Sequence, residues 1–472
     1  MTITAPDRAR DWIGGEPARV DHFARGVPVS GDERSFGTGP NRFVAPALAL
    51  DALVWPRNEP GPAFDTPVDE IMDVLVQLGD WIGCDPDGLV AKALEASLRT
   101  NPLPAGVLRE AFALLGGSFT RRGMEFMIEQ EFGGADVLDG WRTVPGAPSG
   151  RPVRIRAFPA RVVHVLAGNA PGVAAMSVLR GALTKGVNLF KMPSNDLYST
   201  TVLLAGLHAV APGHPTTRSF SAAYWRGGDE AVESVLFRPQ FFDKLAAWGG
   251  DAALRSAKSY VGPGFELVSF DPKTSISLIG RETFASPEAL EEAAEAAARD
   301  IMLMDQQACA ASRFQYVEGG TEEADRFAAA LLPRLGVARR LGSAVGNPVP
   351  AHIRSEVEAL RDLEPYARVF GEYTGRGLVV RSEDPVDFHP ENKVANVVPV
   401  ESLEHAIGRI NVATQSVGVY PAARKAALRD RLASAGAVRI CMLGDVPVVE
   451  SGLPHDGFYP MQRLVRWVSD EG

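Results

Sequence analysis

Cysteine is scarce in this chain: there are three in 472 residues. That is too few for a disulfide framework, and the odd count leaves at least one thiol unpaired. Basic charge is also in deficit. Lysine and arginine number 48 against 58 acidic residues, a net charge of −10, which excludes a dedicated nucleic-acid binder. No apolar run reaches the roughly 18 residues that a membrane span needs. The N-terminus lacks the basic stretch and apolar core of a secretory signal. Neither G-x-G-x-x-G nor a Walker A pattern occurs, and no ligand spacing resembles a zinc site, so no metal is expected. What remains is a cytoplasmic globular protein with reduced thiols. Its length suits about three domains of roughly 150 residues each, and 46% of it is apolar.

Residues 1–64 are rich in Gly, Pro, Arg and Ala, and Gly31–Pro40 reads as loop. From Pro67 to Gly79 the apolar residues Val68, Ile71, Met72, Val74, Leu75 and Leu78 recur near helical spacing. Helical patches follow at Leu89–Leu98 and Ala105–Leu115, so a mostly helical region, 1–150, is expected to pack on something larger.

The pattern changes near Gly150. Arg154–Phe158 alternates like a strand. Val162–Leu166 is a short β-rich run ending in Gly168-Asn169-Ala170-Pro171-Gly172. A helix over 173–184 and a strand at Val187–Lys191 complete a βαβ unit, which calls for a parallel sheet covered by helices. Helices at 198–210, 229–236 and 251–258 alternate with strands near Ser219–Tyr224, Phe242–Trp248, Glu266–Phe270 and Ser275–Ile279. This is an α/β region, 151–280, expected to bind a cofactor. A second α/β domain, 281–440, begins at Ser286-Pro287, a hydroxyl N-cap followed by proline in the first turn. Its helix leads to Asp305-Gln306-Gln307-Ala308-Cys309. A C-terminal segment, 441–472, is expected to return to the core or an oligomer interface.

Cys309 follows an amphipathic helix in a polar segment, an unusual place for a core cysteine. Cys441 lies in an apolar strand and Cys84 in a loop. Asn169 ends a central strand, where ligands of open α/β sheets bind, and its amide can serve a developing oxyanion. Lys191 ends the next strand, and Ser194 lies in the turn beyond it. Trp248-Gly249-Gly250 ends a third strand before a helix N-terminus, which suits phosphate. Taken singly, each has an ordinary structural explanation: a buried thiol, a self-satisfied turn, a surface lysine.

Their order is more telling. Asn169, Lys191, Gly249-Gly250 and Gln307-Ala308-Cys309 resemble the successive motifs of the aldehyde dehydrogenase superfamily. The segments His164–Pro171, Lys191–Ser194, Ala247–Gly250, Asp305–Cys309, Pro454–Gly457 and Leu464–Trp467 look most similar to its acyl-CoA reductase, or LuxC-like, family. That family includes the reductase component of luminescence-type fatty-acid reductases. The resemblance implies an aldehyde dehydrogenase-like α/β fold: a Rossmann-like cofactor domain, an α/β catalytic domain and a mostly helical N-terminal region. It implies Cys309 as nucleophile and Asn169 as oxyanion donor, with Lys191, Ser194, Trp248, Gly249 and Gly250 on the cofactor. Hydrolytic relatives carry a water-activating Glu where this chain has Ser269. Losing such a base removes about 10²–10⁴-fold of hydrolysis and protects a thioester for reduction.

The expected reaction is reduction of an acyl thioester, on CoA or a carrier protein, to an aldehyde through a Cys309 acyl-enzyme. NADPH is favoured over NADH, because Ser194 stands where NAD-preferring relatives place a ribose-binding Glu. Asn392 stands where relatives place another Glu, near the nicotinamide ribose. His455 reads either as a proton donor or as a structural turn residue. An acylating aldehyde dehydrogenase or an acyl-phosphate reductase would use the same nucleophile. An acyl-transfer subunit without redox chemistry is the alternative of another class. The resemblance further implies an acyl-transferring partner protein and a homo-oligomer, dimer or tetramer.

Overall fold

A computed structural model describes residues 18–38 and 41–472. Two seven-stranded sheets organise the chain. In the first, Val187–Lys191 lies at the centre, flanked by Arg161–Val165 and Phe220–Ala223; Lys244–Trp248 and Glu266–Phe270 continue it outward, all in parallel. These strands read as near-continuous apolar runs because helices cover both faces. Two polar residues inside the sheet satisfy each other: the His164 ring meets Asn188 Oδ1 at 2.9 Å, and Asn188 Nδ2 donates to the Gly186 carbonyl at 2.8 Å.

The far edge of this sheet comes from residues 1–64, where the sequence shows little periodicity. Phe23–Ala24 and Val27–Pro28 form a hairpin, and Phe23 pairs antiparallel with Ala222. The turn residues Arg25 and Gly26 have φ of 51° and 80°, both left-handed as a tight two-residue hairpin requires. A Cβ on Gly26 would lie 2.5 Å from the Thr217 carbonyl oxygen. Glu33–Phe36, inside the expected loop 31–40, is also a strand, paired with Phe43–Pro46. Strands of two to four residues carry too little alternation to be legible in sequence.

The N-terminal helices form as their apolar spacing predicts. Val68–Cys84 buries all six of the residues singled out above. With Leu89–Ser97 and Ala105–Ala113 it joins a core that includes Val178, Leu203, Leu207 and Phe220 of the first sheet layer.

The second sheet runs Ala367–Phe370, Leu378–Ser382, Val394–Val400, Ser312–Glu318, Thr274–Ile279, Thr414–Tyr420, Arg439–Met442. It is parallel except at its first pair. Thr274–Ile279 lies near its middle, although the sequence reading places those residues at the end of the cofactor region. The chain changes sheets at Asp271-Pro272-Lys273, a link too short to mark a boundary by composition. Val153–Pro159 likewise leaves the first sheet. It pairs antiparallel with Val465–Glu471 and with Arg142–Thr143, making a separate three-stranded sheet. Among the described residues no helix is long and apolar enough to cross a membrane.

The contact between N-terminal helices and cofactor sheet is close-packed. A Cβ on Gly206, in the helix Tyr198–Val210, would meet Leu78 Cδ1 at 2.6 Å and Trp81 Cε3 at 2.7 Å. Alanine gains about 1 kcal/mol over glycine in a helix, but overpacking costs about 1–3 kcal/mol. Gly206→Ala is therefore expected to lower the denaturation midpoint despite its better helix propensity. An unchanged or higher midpoint in urea would show that the two helices separate at little cost.

Candidate active site

The loop that leads to Cys309 begins where the helix Pro287–Ile301 ends. Ser286 caps that helix by accepting from the Ala289 amide at 3.2 Å, with Pro287 in the first turn. Beyond it Met304, Asp305 and Gln306 have φ of 53°, 48° and 69°. Three successive left-handed side chains are costly, and each polar one is held. Asp305 accepts from the Ser343 amide at 2.7 Å and from the Ser343 hydroxyl. Gln306 Nε2 donates to the Val394 carbonyl at 2.8 Å and the Ser312 carbonyl at 3.2 Å. Buried Arg313 donates to the Gln306 carbonyl at 2.8 Å and to the Pro390 carbonyl. Lys393, fully buried, donates to the carbonyls of Leu335, Ser343 and Ala344 at 3.0–3.3 Å.

This turn delivers Cys309 to the amino ends of the central strands of the second sheet, where Ser275 Oγ donates to the Cys309 carbonyl at 2.9 Å. The loop from the first sheet reaches the same point. Asn169 Nδ2 donates to the Gln307 carbonyl at 2.8 Å, across 138 residues of sequence. Gln307 Nε2 donates to Asn392 Oδ1 at 3.0 Å, and Asn392 Nδ2 to the Pro348 carbonyl at 2.8 Å. A carboxamide nitrogen has two N–H bonds, so Asn169 keeps one donor beyond the bond that fixes it.

Cys309 is half-buried. Burial pushes its thiol up to about 11, and the Asp456 carboxylate adds to that; the amides of Ala310 and Cys309 and the Arg313 guanidinium act the other way. The resting group is thus a thiol, whereas the sequence reading starts from a thiolate. Asp456 is itself buried and pushed up to about 6 by burial, opposed chiefly by Lys273 and a bond from Gln415. Its Oδ1 has no hydrogen-bond partner among the described residues. His455 is held down at about 4, mainly by burial, so its ring is neutral at pH 7 and packs edge-on to Trp248 and Phe270 at 5.4 and 5.5 Å. Ser269 is half-buried on its strand. Glu266, on the same strand, is engaged by Lys244 and Arg463.

Lys191, Gly249 and Gly250 lie at the carboxyl ends of two parallel strands on either side of Arg161–Val165, or in the turns that follow, and Ser194 is exposed in the turn after Lys191. The helix Asp251–Lys258 has Gly250 at its N-cap and no side chain capping it, which leaves amide donors for an anion. The Lys191 ammonium lies 5.8 Å from the Trp225 ring centroid, and burial lowers its charge affinity. Glu233, also buried, accepts from Trp225 Nε1 and the Gly228 amide. These donors fit the diphosphate and ribose of a dinucleotide. Exposed Arg226 stands in the loop after Phe220–Ala223, before Gly227, where an added Cβ would lie 3.9 Å from Lys191 Nζ. The sequence reading missed Arg226, although Arg226-Gly227-Gly228 repeats the strand, glycine, helix pattern used at Gly249-Gly250.

Trp248 takes a different place from its neighbours. Its indole stacks on Phe270 at 3.6 Å and lines a cavity of about 380 Å³. The other walls are mainly apolar, among them Leu115, Val173, Met176, Met304 and Leu453. The cavity lies between Ala170, next to Asn169, and the C-terminal loop that carries His455 and Asp456.

Comparison with known proteins agrees with this geometry. The family described as acyl-CoA reductase (LuxC) matches residues 65–467. The chain is 30% identical over 356 residues to the long-chain acyl-protein thioester reductase of Photorhabdus laumondii subsp. laumondii, covering 75% of this chain and 71% of that protein. It is 31% identical over 356 residues to the long-chain acyl-protein thioester reductase of Aliivibrio fischeri, covering 73% and 70%. The solved NAD-dependent aldehyde dehydrogenase from Sinorhizobium meliloti superposes with a TM-score of 0.73 at 16% identity, covering 99% of this chain and 96% of that one. With an aldehyde dehydrogenase fold and a match that runs from the N-terminal helices to the last strand, the chain belongs to the acyl-CoA reductase (LuxC) family.

Proposed function

We propose that this protein reduces an acyl thioester, on CoA or a carrier protein, to an aldehyde through an acyl group held on Cys309, with NADPH as reductant. One observation carries the reading: Asn169 from the first sheet is hydrogen-bonded to the Gln307 carbonyl, two residues before Cys309, beside an apolar cavity. Relatives named as long-chain acyl-protein thioester reductases support the substrate class. Cytoplasmic location follows from the reduced thiol this chemistry needs.

The steps follow from these residues. Cys309 rests as a thiol, so its proton must leave before attack; Asp456, ionised at neutral pH, is the base that takes it. The sulfur adds to the acyl carbonyl and the carrier thiolate departs with a proton, a nearly isoenergetic exchange that needs mainly positioning. Lys191, Arg226 and the amides after Gly249-Gly250 would hold the dinucleotide. When bound there, reduced nicotinamide supplies a hydride to the acyl carbon. The free N–H of Asn169 and the Cys309 amide hold the oxyanion of the thiohemiacetal. Its collapse breaks the carbon–sulfur bond, frees the aldehyde and returns the Cys309 thiolate, which takes up a proton. Ser269 offers no carboxylate to activate water during the wait.

Acyl-CoA, acyl-carrier-protein and acyl phosphate assayed side by side with NADPH test the substrate class; aldehyde from acyl phosphate alone would overturn it. Cys309→Ala is expected to abolish both aldehyde and acyl labelling while NADPH still binds. Asn169→Ala should lower turnover by about 10²–10³-fold. Asp456→Asn should slow acylation by about 10²-fold or more. It should also remove the decline in acylation that the wild type shows as pH falls through about 6, where the carboxylate protonates.

Cofactor preference rests on exposed Ser194 and Arg226, which together favour a 2′-phosphate. Ser194→Glu would set a carboxylate against it. The NADPH KM should rise about tenfold or more, with NADH affected less; equal effects on both would remove Ser194 from the ribose site.

Self-association is proposed through the three-stranded sheet, whose outer strand Val465–Glu471 leaves one edge unpaired. Trp467 and Trp141 there are 46% and 38% exposed. Trp467→Glu should shift sedimentation toward the monomer, and a monomeric wild type would contradict this.

A further inference from the structure

Ser275 marks an irregularity in the second sheet. On one side its strand, Thr274–Ile279, pairs Ser275 with Ser312 and Ile276 with Phe314, so Arg313 is an extra residue in the neighbouring strand. On the other side Thr274 pairs with Thr414 and Ile276 with Val417, which again leaves the neighbour one residue longer. Bulges of this kind re-aim side chains and gather beside active sites. Here they act on residues that reach the Cys309 region. Arg313 donates to the Gln306 carbonyl at 2.8 Å, and Gln415 supplies a bond to Asp456.

The Ser275 side chain is fully buried at this point, and its two bonds fix its proton. Its Oγ accepts from the Ser416 amide at 3.2 Å, and that amide can only donate. It donates to the Cys309 carbonyl at 2.9 Å, and that carbonyl can only accept. The hydroxyl proton therefore points at Cys309. Ser277, two residues along the same strand, differs. It pairs with the Ser312 hydroxyl at 2.8 Å, which also takes Gln315 Nε2, and stays within the sheet.

The peptide between Cys309 and Ala310 is trans, as are all described peptides except two before proline. In a trans peptide the C=O and N–H point in opposite directions. With the Cys309 carbonyl held down on Ser275, the Ala310 N–H points away from the sheet. It and the Cys309 amide bond the Cys309 sulfur and favour its thiolate. The charged groups that face the sulfur are Asp456, from the C-terminal loop, which opposes the thiolate, and Arg313, from the following strand, which favours it. Substitution of neutral Ser275 changes neither charge.

We infer that Ser275 is a positioning residue for the acyl-transfer step: its hydroxyl holds the Cys309–Ala310 peptide so that the Ala310 amide is aimed at the Cys309 sulfur. The inference rests on the proposed reading, in which Cys309 carries the acyl group, and names what readies that sulfur. An amide fixed in this way stabilises the thiolate without adding a charge.

The test is alkylation by iodoacetamide between about pH 7 and 9, followed by mass spectrometry of the peptide that carries Cys309, since Cys84 is exposed as well. Burial holds the Cys309 thiol up at about 11, so the rate in this range is proportional to the thiolate fraction. Loss of one amide bond to the thiolate raises the thiol by about one unit, so Ser275→Ala should react about tenfold more slowly at each pH. Ser275→Thr, which keeps the hydroxyl, should react at close to the wild-type rate. Ser277→Ala, which removes a buried hydroxyl from the same strand, should also match the wild type. The bulkier N-ethylmaleimide should give the same ratios. Acylation by acyl-CoA should fall in parallel in Ser275→Ala, while NADPH affinity, which reports an intact fold, should not change. Equal alkylation of Ser275→Ala and wild type overturns the inference, as does an equal slowing in Ser277→Ala or a slowing seen only with the bulkier reagent. Alkylation needs no substrate. It therefore decides for Ser275 even where Cys309→Ala still forms aldehyde and the acyl-enzyme reading fails.

Discussion

Everything at Cys309 depends on a turn that an L-polypeptide resists. Met304, Asp305 and Gln306 stand one after another in the left-handed region, each at a cost of about 1–3 kcal/mol. The turn persists because its polar side chains find buried partners at fixed distances: Asp305 on Ser343, Gln306 on Val394 and Ser312. Those partners come from other parts of the catalytic layer. The strain is thus set against tertiary hydrogen bonds, which hold the loop that leads to Cys309. The Asn169–Gln307 bond adds the second domain to the same constraint.

Burial shapes the chemistry as much as it shapes the loop. In one small region it raises the Cys309 thiol and the Asp456 carboxyl and lowers the His455 ring. Each shift favours the neutral form, as desolvation requires. At neutral pH the result is a Cys309 thiol and a neutral His455 ring beside an Asp456 carboxyl that ionises only above about 6. A thiol kept neutral is also less open to oxidation, since oxidation follows thiolate character.

Much of this architecture was legible in the sequence. Helices such as 198–210 and 251–258 match their predicted limits, because long amphipathic or buried runs have a strong period. Strand 187–191 matches as well. The short strands at Phe23–Ala24 and Glu33–Phe36 were not legible, because they exist through pairing with distant partners such as Ala222. The same holds for the site. Cys309, Asn169 and Lys191 stood out by position in strand-end turns. Ser275 and Asp456 did not, since a serine within a strand and an aspartate in a loop look like ordinary polar residues until the fold buries them.

The sequence by itself determined the periodicities, the strand-end turns and the residue types available for chemistry, since all of these are local properties. Only the tertiary structure decided the environment of each residue. It brought Gln307 to Asn169 across 138 positions, placed Thr274–Ile279 in the second sheet, and set the Trp248 indole in the wall of the cavity. The physical reason is that desolvation, packing and hydrogen-bond satisfaction depend on neighbours in space. A chain of letters specifies those neighbours only through the fold as a whole.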